Sequence, residues 1–340
     1  MVRKIKWGLP RGSLNKVGRG NTEALLVDAG YEIEGYTPEN ERSDQLRIKN
    51  DPELEVTLVR PQNAPGDLGR KLLDIAIIGD DWVQEESDVT KLIKLADLEY
   101  GTIKVVTAVP KDFEATTLTD LFLSYFSSER REPMSWYVEY PKLARGYFLK
   151  NHAYQKLFGD KLPLIEIRSF IIEGENDRIR IIYSEGTTEE YLKKGFPIID
   201  NLQTGETLEQ VGGRILEDGE IMVSSAGLYA RPNLEGDDWL WEKANDIRDK
   251  LLGVVMGRKY DDVKFNVETQ FLDSVIAYIK KEGLALRGPT VSQILGPSGI
   301  EGYAINIVVP KAKYPEVSAT LKKRYGATGM VRSDIKQLIL

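Results

Sequence analysis

"IIDNLQTGETLEQVGG", residues 198–213, decides how this chain folds. A short apolar run, Ile198 and Ile199, stops at an acid, Asp200. Small and hydroxylated residues follow (Thr204, Gly205, Thr207), and then the opening of a helix. A buried strand, a loop poor in side chains and a helix start together make the unit from which parallel α/β sheets are built. Thr207-Leu-Glu-Gln210 fits a capping box and predicts a helix beginning at Thr207. Free main-chain N–H groups at such a helix start, aided by its dipole, suit an oxyanion. Gly205 lets backbone approach a ligand closely, and the Thr204 and Thr207 hydroxyls add donors. Asp200 stands at the carboxyl end of its strand, where open α/β sheets bind ligands. A carboxylate there suits the two hydroxyls of a ribose. An ordinary strand–turn–helix would use the same Thr and Gly residues.

Outward from this stretch the same alternation continues. Upstream, "IKWGLP", "LEVTLVRP", "DIAIIG" and "TIKVVTAVP" read as strands, interleaved with the helices "NTEALLVDAG" and "APGDLGRKLL". "DIAIIG" has the continuous apolar character of a strand buried on both faces. These elements make a first lobe. "TLTDLFLSYFSS" predicts an amphipathic helix with a capping box at Thr117 and Asp120, and the segment 113–134 is read as a peripheral insertion or hinge-side excursion. A second lobe follows: strand "SWYVEYP", helix "KLARGYFLKNH", paired strands "LIEIRSFII" and "RIRIIYSEG", and helix "TEEYLKKG". "EIMVSSAGLYA" is one strand leading back to the first lobe, and "DDWLWEKANDIRDKLLGVVMG" a long helix. From "DVKFNV" onward the order is β-α-β-β-α-β, that of the ferredoxin-like motif.

Composition narrows the chemistry. The chain has 340 residues, 41% of them apolar and 29% charged, with a formal charge of −7. That balance argues against a general nucleic-acid binder, which needs a basic face. Apolar runs are far shorter than the roughly 20 residues of a membrane span. The N-terminus lacks the features of a secretory signal, and a cytoplasmic location is expected. There is no cysteine and one histidine, His152, read as a helix-surface residue. Disulfides, thiolate metal sites, cysteine nucleophiles and histidine relays are therefore set aside. A second anion-binding candidate is "LPRGSLNKVGRG", where Arg11, Lys16 and Arg19 crowd a glycine-punctuated loop; a flexible basic surface loop reads the same way. Arg60, Asp80 and Asp81 supply further charges at strand ends.

These stretches, in this order, resemble the long form of the ATP phosphoribosyltransferase family, which opens histidine biosynthesis. "LPRGSL" at 9–14 is similar to the family's LPKGxL, and "VRPQNAP" at 59–65 to its V-R-x-x-D-I-P. "DIAIIGDDWVQE" at 74–85 and "YPKLARGYF" at 140–148 each resemble a family segment. "EGTTEEYLKKGFPIIDNLQTGETLEQVGG" at 185–213 looks like the phosphoribosyl-diphosphate signature, and "LRGPTVSQIL" at 286–295 like the S-P-T-x-x-P-L of the regulatory domain. The resemblance implies an α/β fold with a two-lobed, periplasmic-binding-protein-like catalytic core and a C-terminal ferredoxin-like (ACT-like) domain. Lobe I would comprise 1–112 with 224–256, lobe II 113–223, and the regulatory domain 257–340.

The implied reaction joins N1 of ATP to C1 of 5-phosphoribosyl 1-diphosphate, with Mg²⁺ as cofactor. Carried over by position, Thr204, Gly205, Glu206, Thr207 and Leu208 would cradle the 5-phosphate and Asp200 the ribose. Arg11, Arg60 and Asp81 would meet ATP or diphosphate. Glu139 would line the cleft and, with Asp200 and Arg11, take part in catalysis; metal ligands are not assigned. Thr290 would be regulatory, with histidine as inhibitor, in a homo-oligomer (hexamer or dimer). Departures are local. Arg11 replaces lysine, which keeps charge but changes geometry. Gly212 replaces asparagine, Phe196 and Pro197 replace small residues, and "GPT" at 288–290 loses a hydroxyl that could face an inhibitor. Two other readings use a similar plan: a clamp-type small-molecule binding or sensor protein, and a prephenate-dehydratase-like enzyme.

Overall fold

Two sheets built on one plan carry the first part of the chain. In the computed structural model, which describes all residues except 1, 17–19, 39, 42–44, 87–90, 128–131, 203–205, 287 and 339–340, the side chains at 20, 40, 41, 206 and 207 are also outside the description. The chain forms two compact units, Met1–Glu23 with Ile33–Ala244, and Ala24–Glu32 with Asn245–Leu340.

In the first unit a five-stranded sheet places Ile5–Pro10 between Leu54–Val59 and Ile75–Gly79, all parallel. Ala226–Ala230 pairs antiparallel with Ile75–Gly79, and Ile93–Asp97 lies antiparallel beyond it. The Ile75–Gly79 strand is buried throughout, as its unbroken apolar sequence requires of a strand covered on both faces. The seven-stranded sheet repeats the arrangement. Met134–Val138 lies between Asn176–Tyr183 and Ile198–Leu202, again parallel, and Ile103–Pro110 joins antiparallel. Each sheet thus receives an antiparallel strand from chain that has just left the other sheet.

Two segments join the sheets, 98–102 and Ser225, and they are bonded to each other. The Leu98 amide donates to the Ala226 carbonyl and the Ala226 amide to the Tyr100 carbonyl, both at 2.9 Å. Two expectations are corrected here. "EIMVSSAGLYA" is two strands, Gly213–Ser224 in one sheet and Ala226–Ala230 in the other. Ile103–Pro110, assigned to lobe I, belongs to the second sheet.

The helix over Leu118–Ser127 has the reciprocal Thr117–Asp120 cap: the Asp120 amide donates to Thr117 Oγ1 at 3.1 Å, and the Thr117 amide to Asp120 Oδ2 at 3.2 Å. It is not a peripheral excursion. Leu118, Leu121 and Phe122 are buried in the core of the second sheet, with Phe122 edge-on to Phe148 at 5.5 Å. The expected strand "LIEIRSFII" is a hairpin, Pro163–Ile167 and Phe170–Glu173.

In the second unit Tyr260–Val267, Leu272–Glu282, Thr290–Gly296, Gly299–Pro310, Tyr314–Tyr325 and Thr328–Asp334 follow as β-α-β-β-α-β. The strands form one antiparallel sheet in which the first and third are central, the ferredoxin-like arrangement. Alternation puts Val263, Phe265 and Val267 on its buried face, beside Val275 and Ile279 of the helix.

Candidate functional site

A cleft of about 610 Å³ opens in the first unit where the parallel strands of both sheets end. From the five-stranded sheet come Arg11, Gly12 and Ser13 after the first strand, Arg60 and Gln62 after Leu54–Val59, and Asp81 and Trp82 after Ile75–Gly79. From the other sheet come Glu139 and Tyr140 after Met134–Val138, Gly186 and Glu189 beyond Asn176–Tyr183, and Asp200 and Asn201 near the end of Ile198–Leu202. Ser224, at the crossover, completes the wall. This is the carboxyl-end position at which open α/β sheets bind ligands.

Glu139 directly follows the strand Met134–Val138 and Asp200 lies on the neighbouring parallel strand, in a register that pairs Val138 with Ile199. Asp200 is buried, and its Oδ1 accepts from the Asn201 amide at 2.7 Å. Burial raises the pKa of both acids, and the Asp200 charge raises Glu139 further. Two adjacent buried carboxylates cannot both ionise cheaply, so the pair favours holding one proton between them.

Asp81 is the second residue of the helix Asp80–Glu85 and is 4% exposed. Its Oδ1 accepts from Ser224 Oγ at 2.6 Å and its Oδ2 from Tyr140 Oη at 2.7 Å, while its own amide donates to Ser224 Oγ at 3.0 Å. Burial pushes its pKa up, and these hydrogen bonds oppose the rise. Gly79 is required beside it, since a Cβ there would lie 2.2 Å from Asp81 Oδ1. Asn201 Nδ2 donates to Glu139 Oε2 at 2.6 Å and to Tyr140 Oη at 3.0 Å.

Four residues on, Glu85 reaches the other sheet's helix Pro141–Lys150 and accepts from the Lys142 and Leu143 amides, each at 2.9 Å. Those amides are among the first of that helix, where no intrahelical acceptor exists. Lys142 Nζ pairs with Glu86 at 3.0 Å, and Trp82 packs on Tyr140 with ring centroids 4.7 Å apart.

Of the residues expected from sequence, Arg11, Arg60, Asp81, Glu139 and Asp200 all line the cleft. Arg60 approaches Glu185 at 3.5 Å. Asp81 has both oxygens engaged by protein donors, so its direct partners are Tyr140 and Ser224. Asp80 is turned elsewhere, accepting from Lys94 Nζ at 2.8 Å and from Tyr229. Lys16 is not among the lining residues, and Arg19, Thr204 and Gly205 lie outside the described residues. The helix begins at Glu206, one residue before the expected Thr207; the side chains of both are outside the description. Leu208 is buried against Val106, Ala108, Leu192 and Ile198, so its side chain packs the core. Thr290 is an exposed residue of a strand in the second unit. His152 opens a helix and is exposed, as expected.

Sequence reasoning did not single out Tyr140, Asn201, Ser224, Trp82 or Glu85. The "YPKLARGYF" segment contains Tyr140, but nothing local gives it a partner 59 residues away. Among the described residues no group of three or more His, Cys, Asp or Glu side chains could hold a metal ion. No helix among them is long and apolar enough to cross a membrane.

Comparison with known proteins converges with this geometry. ATP phosphoribosyltransferase of Pelotomaculum thermopropionicum is 25% identical over 347 aligned positions, covering 99% of each chain. The ATP phosphoribosyltransferase of Thermodesulfovibrio yellowstonii is 26% identical, covering 98% of each. Among solved structures, the ATP phosphoribosyl transferase (HisG:HisZ) complex from Thermotoga maritima matches with a TM-score of 0.51 at 20% identity, over 74% of this chain and 98% of that one. At that identity the likeness speaks for the fold alone. The family model for HisG, ATP phosphoribosyltransferase, matches residues 60–253, more than half of the chain. The span includes Glu139, Asp200 and residues 203–208. This chain belongs to the ATP phosphoribosyltransferase family.

Proposed function

We propose that the chain transfers the phosphoribosyl group of 5-phosphoribosyl 1-diphosphate to N1 of ATP, giving phosphoribosyl-ATP and diphosphate, the first step of histidine biosynthesis. The observation that carries this reading is the Glu139–Asp200 pair, brought together at the ends of adjacent parallel strands, with Asp200 four positions before Thr204 in the sequence. Arg11 and Arg60 line the same cleft from the other sheet. An acid pair suits the ribose hydroxyls, and arginines suit phosphates, which they bind bidentately.

The chemistry asks little of the side chains as bases. N1 of adenine carries a lone pair, so its attack on C1 removes no proton. As the C1–O bond to diphosphate breaks, positive charge develops on the ribose ring. The protein's work is positioning and electrostatic stabilisation. The Asp200–Glu139 pair would place negative charge beside the ribose. Arg11 and Arg60 would balance the phosphates. Main-chain amides of the loop, through Leu208, would hold the 5-phosphate. The tightly held Asp81 fits a supporting role better than direct contact with ATP. Mg²⁺ would neutralise charge on the departing diphosphate. Such an ion is commonly held by one or two carboxylates together with substrate phosphates; Asp200, with Glu139 once the shared proton is displaced, would supply donors of that kind.

Family membership and the ferredoxin-like unit support histidine as feedback inhibitor, with Thr290 in the regulatory unit. A homo-oligomer and a cytoplasmic setting complete the proposal. Mixing the purified protein with ATP, phosphoribosyl diphosphate and Mg²⁺ should raise ultraviolet absorbance as phosphoribosyl-ATP forms. No turnover by folded protein would favour a clamp-type binding protein instead.

A further inference from the structure

The cleft contains a chain of hydrogen bonds whose direction is fixed at every link. Asn201 Nδ2 has two hydrogens; one goes to Glu139 Oε2 at 2.6 Å and the other to Tyr140 Oη at 3.0 Å. Tyr140 has one proton, and with Asn201 donating to its oxygen that proton goes to Asp81 Oδ2 at 2.7 Å. Asp81 takes its second donor from Ser224 Oγ at 2.6 Å, and Ser224 in turn accepts from the Asp81 amide. The chain begins on the acid beside Asp200, crosses to the helix Asp80–Glu85 of the other sheet, and ends at the crossover strand. Tyr140 and Asp81 are almost fully buried, so water competes little for these bonds and a missing partner leaves a desolvated group unpaired.

We propose that Asn201, Tyr140 and Asp81 form a positioning relay that sets the Glu139 carboxyl for the ribose and ties its placement to the approach of the two sheets. The inference rests on the phosphoribosyl-transfer reading. None of the three needs to touch the reacting atoms: Asn201 and Tyr140 orient Glu139, and Asp81 anchors Tyr140. Because the links act in series, breaking one releases the whole, so losses at two links do not multiply. Asn201→Leu removes both donors at similar volume, and Tyr140→Phe removes only the hydroxyl that carries the relay from Asn201 to Asp81.

The test is a double-mutant cycle on steady-state kinetics with ATP, phosphoribosyl diphosphate and Mg²⁺, with urea midpoints measured in parallel. Each single variant is expected to lower kcat by about tenfold or more while KM for phosphoribosyl diphosphate changes by less than about threefold, the mark of lost positioning rather than uniform binding. The double variant should be about as impaired as the worse single one. Multiplying losses, or an unchanged kcat with only a lowered urea midpoint, would overturn the relay and leave packing alone. Should Asn201→Leu fail to fold, Tyr140→Phe decides by the same kcat-against-KM criterion. Inactive wild-type protein would instead strike at the functional reading, so the two failures are distinct.

Discussion

Replacing Glu85 by glutamine probes how the two sheets are held together. Glu85 is 5% exposed and spends both oxygens on the first amides of a helix belonging to the other sheet. Burial pushes its pKa from 4.5 up to about 7, and the Lys142 and Leu143 amides oppose that rise. The folded chain therefore holds a proton here more tightly than the unfolded chain does. Because the folded value is the higher one, the stabilisation is complete below pH 4.5 and is lost as pH rises through about 7. A rise of that size corresponds to about 3 kcal/mol between the two limits. Glu85→Gln keeps one acceptor oxygen and cannot titrate. Urea unfolding followed by tryptophan fluorescence reads the relevant part of the chain, since Trp7, Trp82, Trp136, Trp239 and Trp241 all fall in the first unit. Between about pH 4.5 and about pH 8 the wild type should lose about 3 kcal/mol more stability than the variant. Parallel pH dependences would refute the reasoning, for Glu85 would then ionise as it does in the unfolded chain.

Other perturbations reach the chemistry and its frame. Asp200→Ala should cut turnover by about a hundredfold or more while the urea midpoint stays near wild type; near-normal turnover would remove Asp200 from the ribose role. Gly79→Ala sets a Cβ 2.2 Å from Asp81 Oδ1, and the shift it forces should cost about 1–3 kcal/mol in urea unfolding; an unchanged midpoint would show that Asp81 moves freely. Chelation with EDTA should abolish turnover and added Mg²⁺ restore it, whereas undiminished activity in excess chelator would remove the ion from the proposal. Titrating histidine into the assay should inhibit the wild type, and insensitivity would remove the feedback role.

Much of the architecture is written in local pattern. The unbroken apolar run Ile75–Ile78 announces a two-sided buried strand, and Thr117 with Asp120 announces a helix start that the structure realises as a reciprocal cap. The β-α-β-β-α-β order of the last part is equally plain. What escaped depends on distant partners or on unusual backbone. The turn that splits "LIEIRSFII" uses Arg168 and Ser169, both with positive φ, where glycine or asparagine would ordinarily signal a turn. The switch of sheet at Ser225 falls inside one strand-like run, and nothing in its composition marks the change. The peripheral reading of 113–134 failed because an amphipathic helix does not reveal how deep its apolar face will sit; Phe122 is fully buried. At the site, Asp200 and Arg11 were visible through their loops. Tyr140, Asn201 and Ser224 matter through partners 59, 62 and 143 residues away, a separation that no local spacing encodes.

A crystal structure with phosphoribosyl diphosphate bound tests the central claim most directly. The account predicts the ribose hydroxyls against Asp200 and Glu139, with the 5-phosphate on the main-chain amides that follow Leu202. A ligand seated elsewhere, with that acid pair untouched, would contradict it.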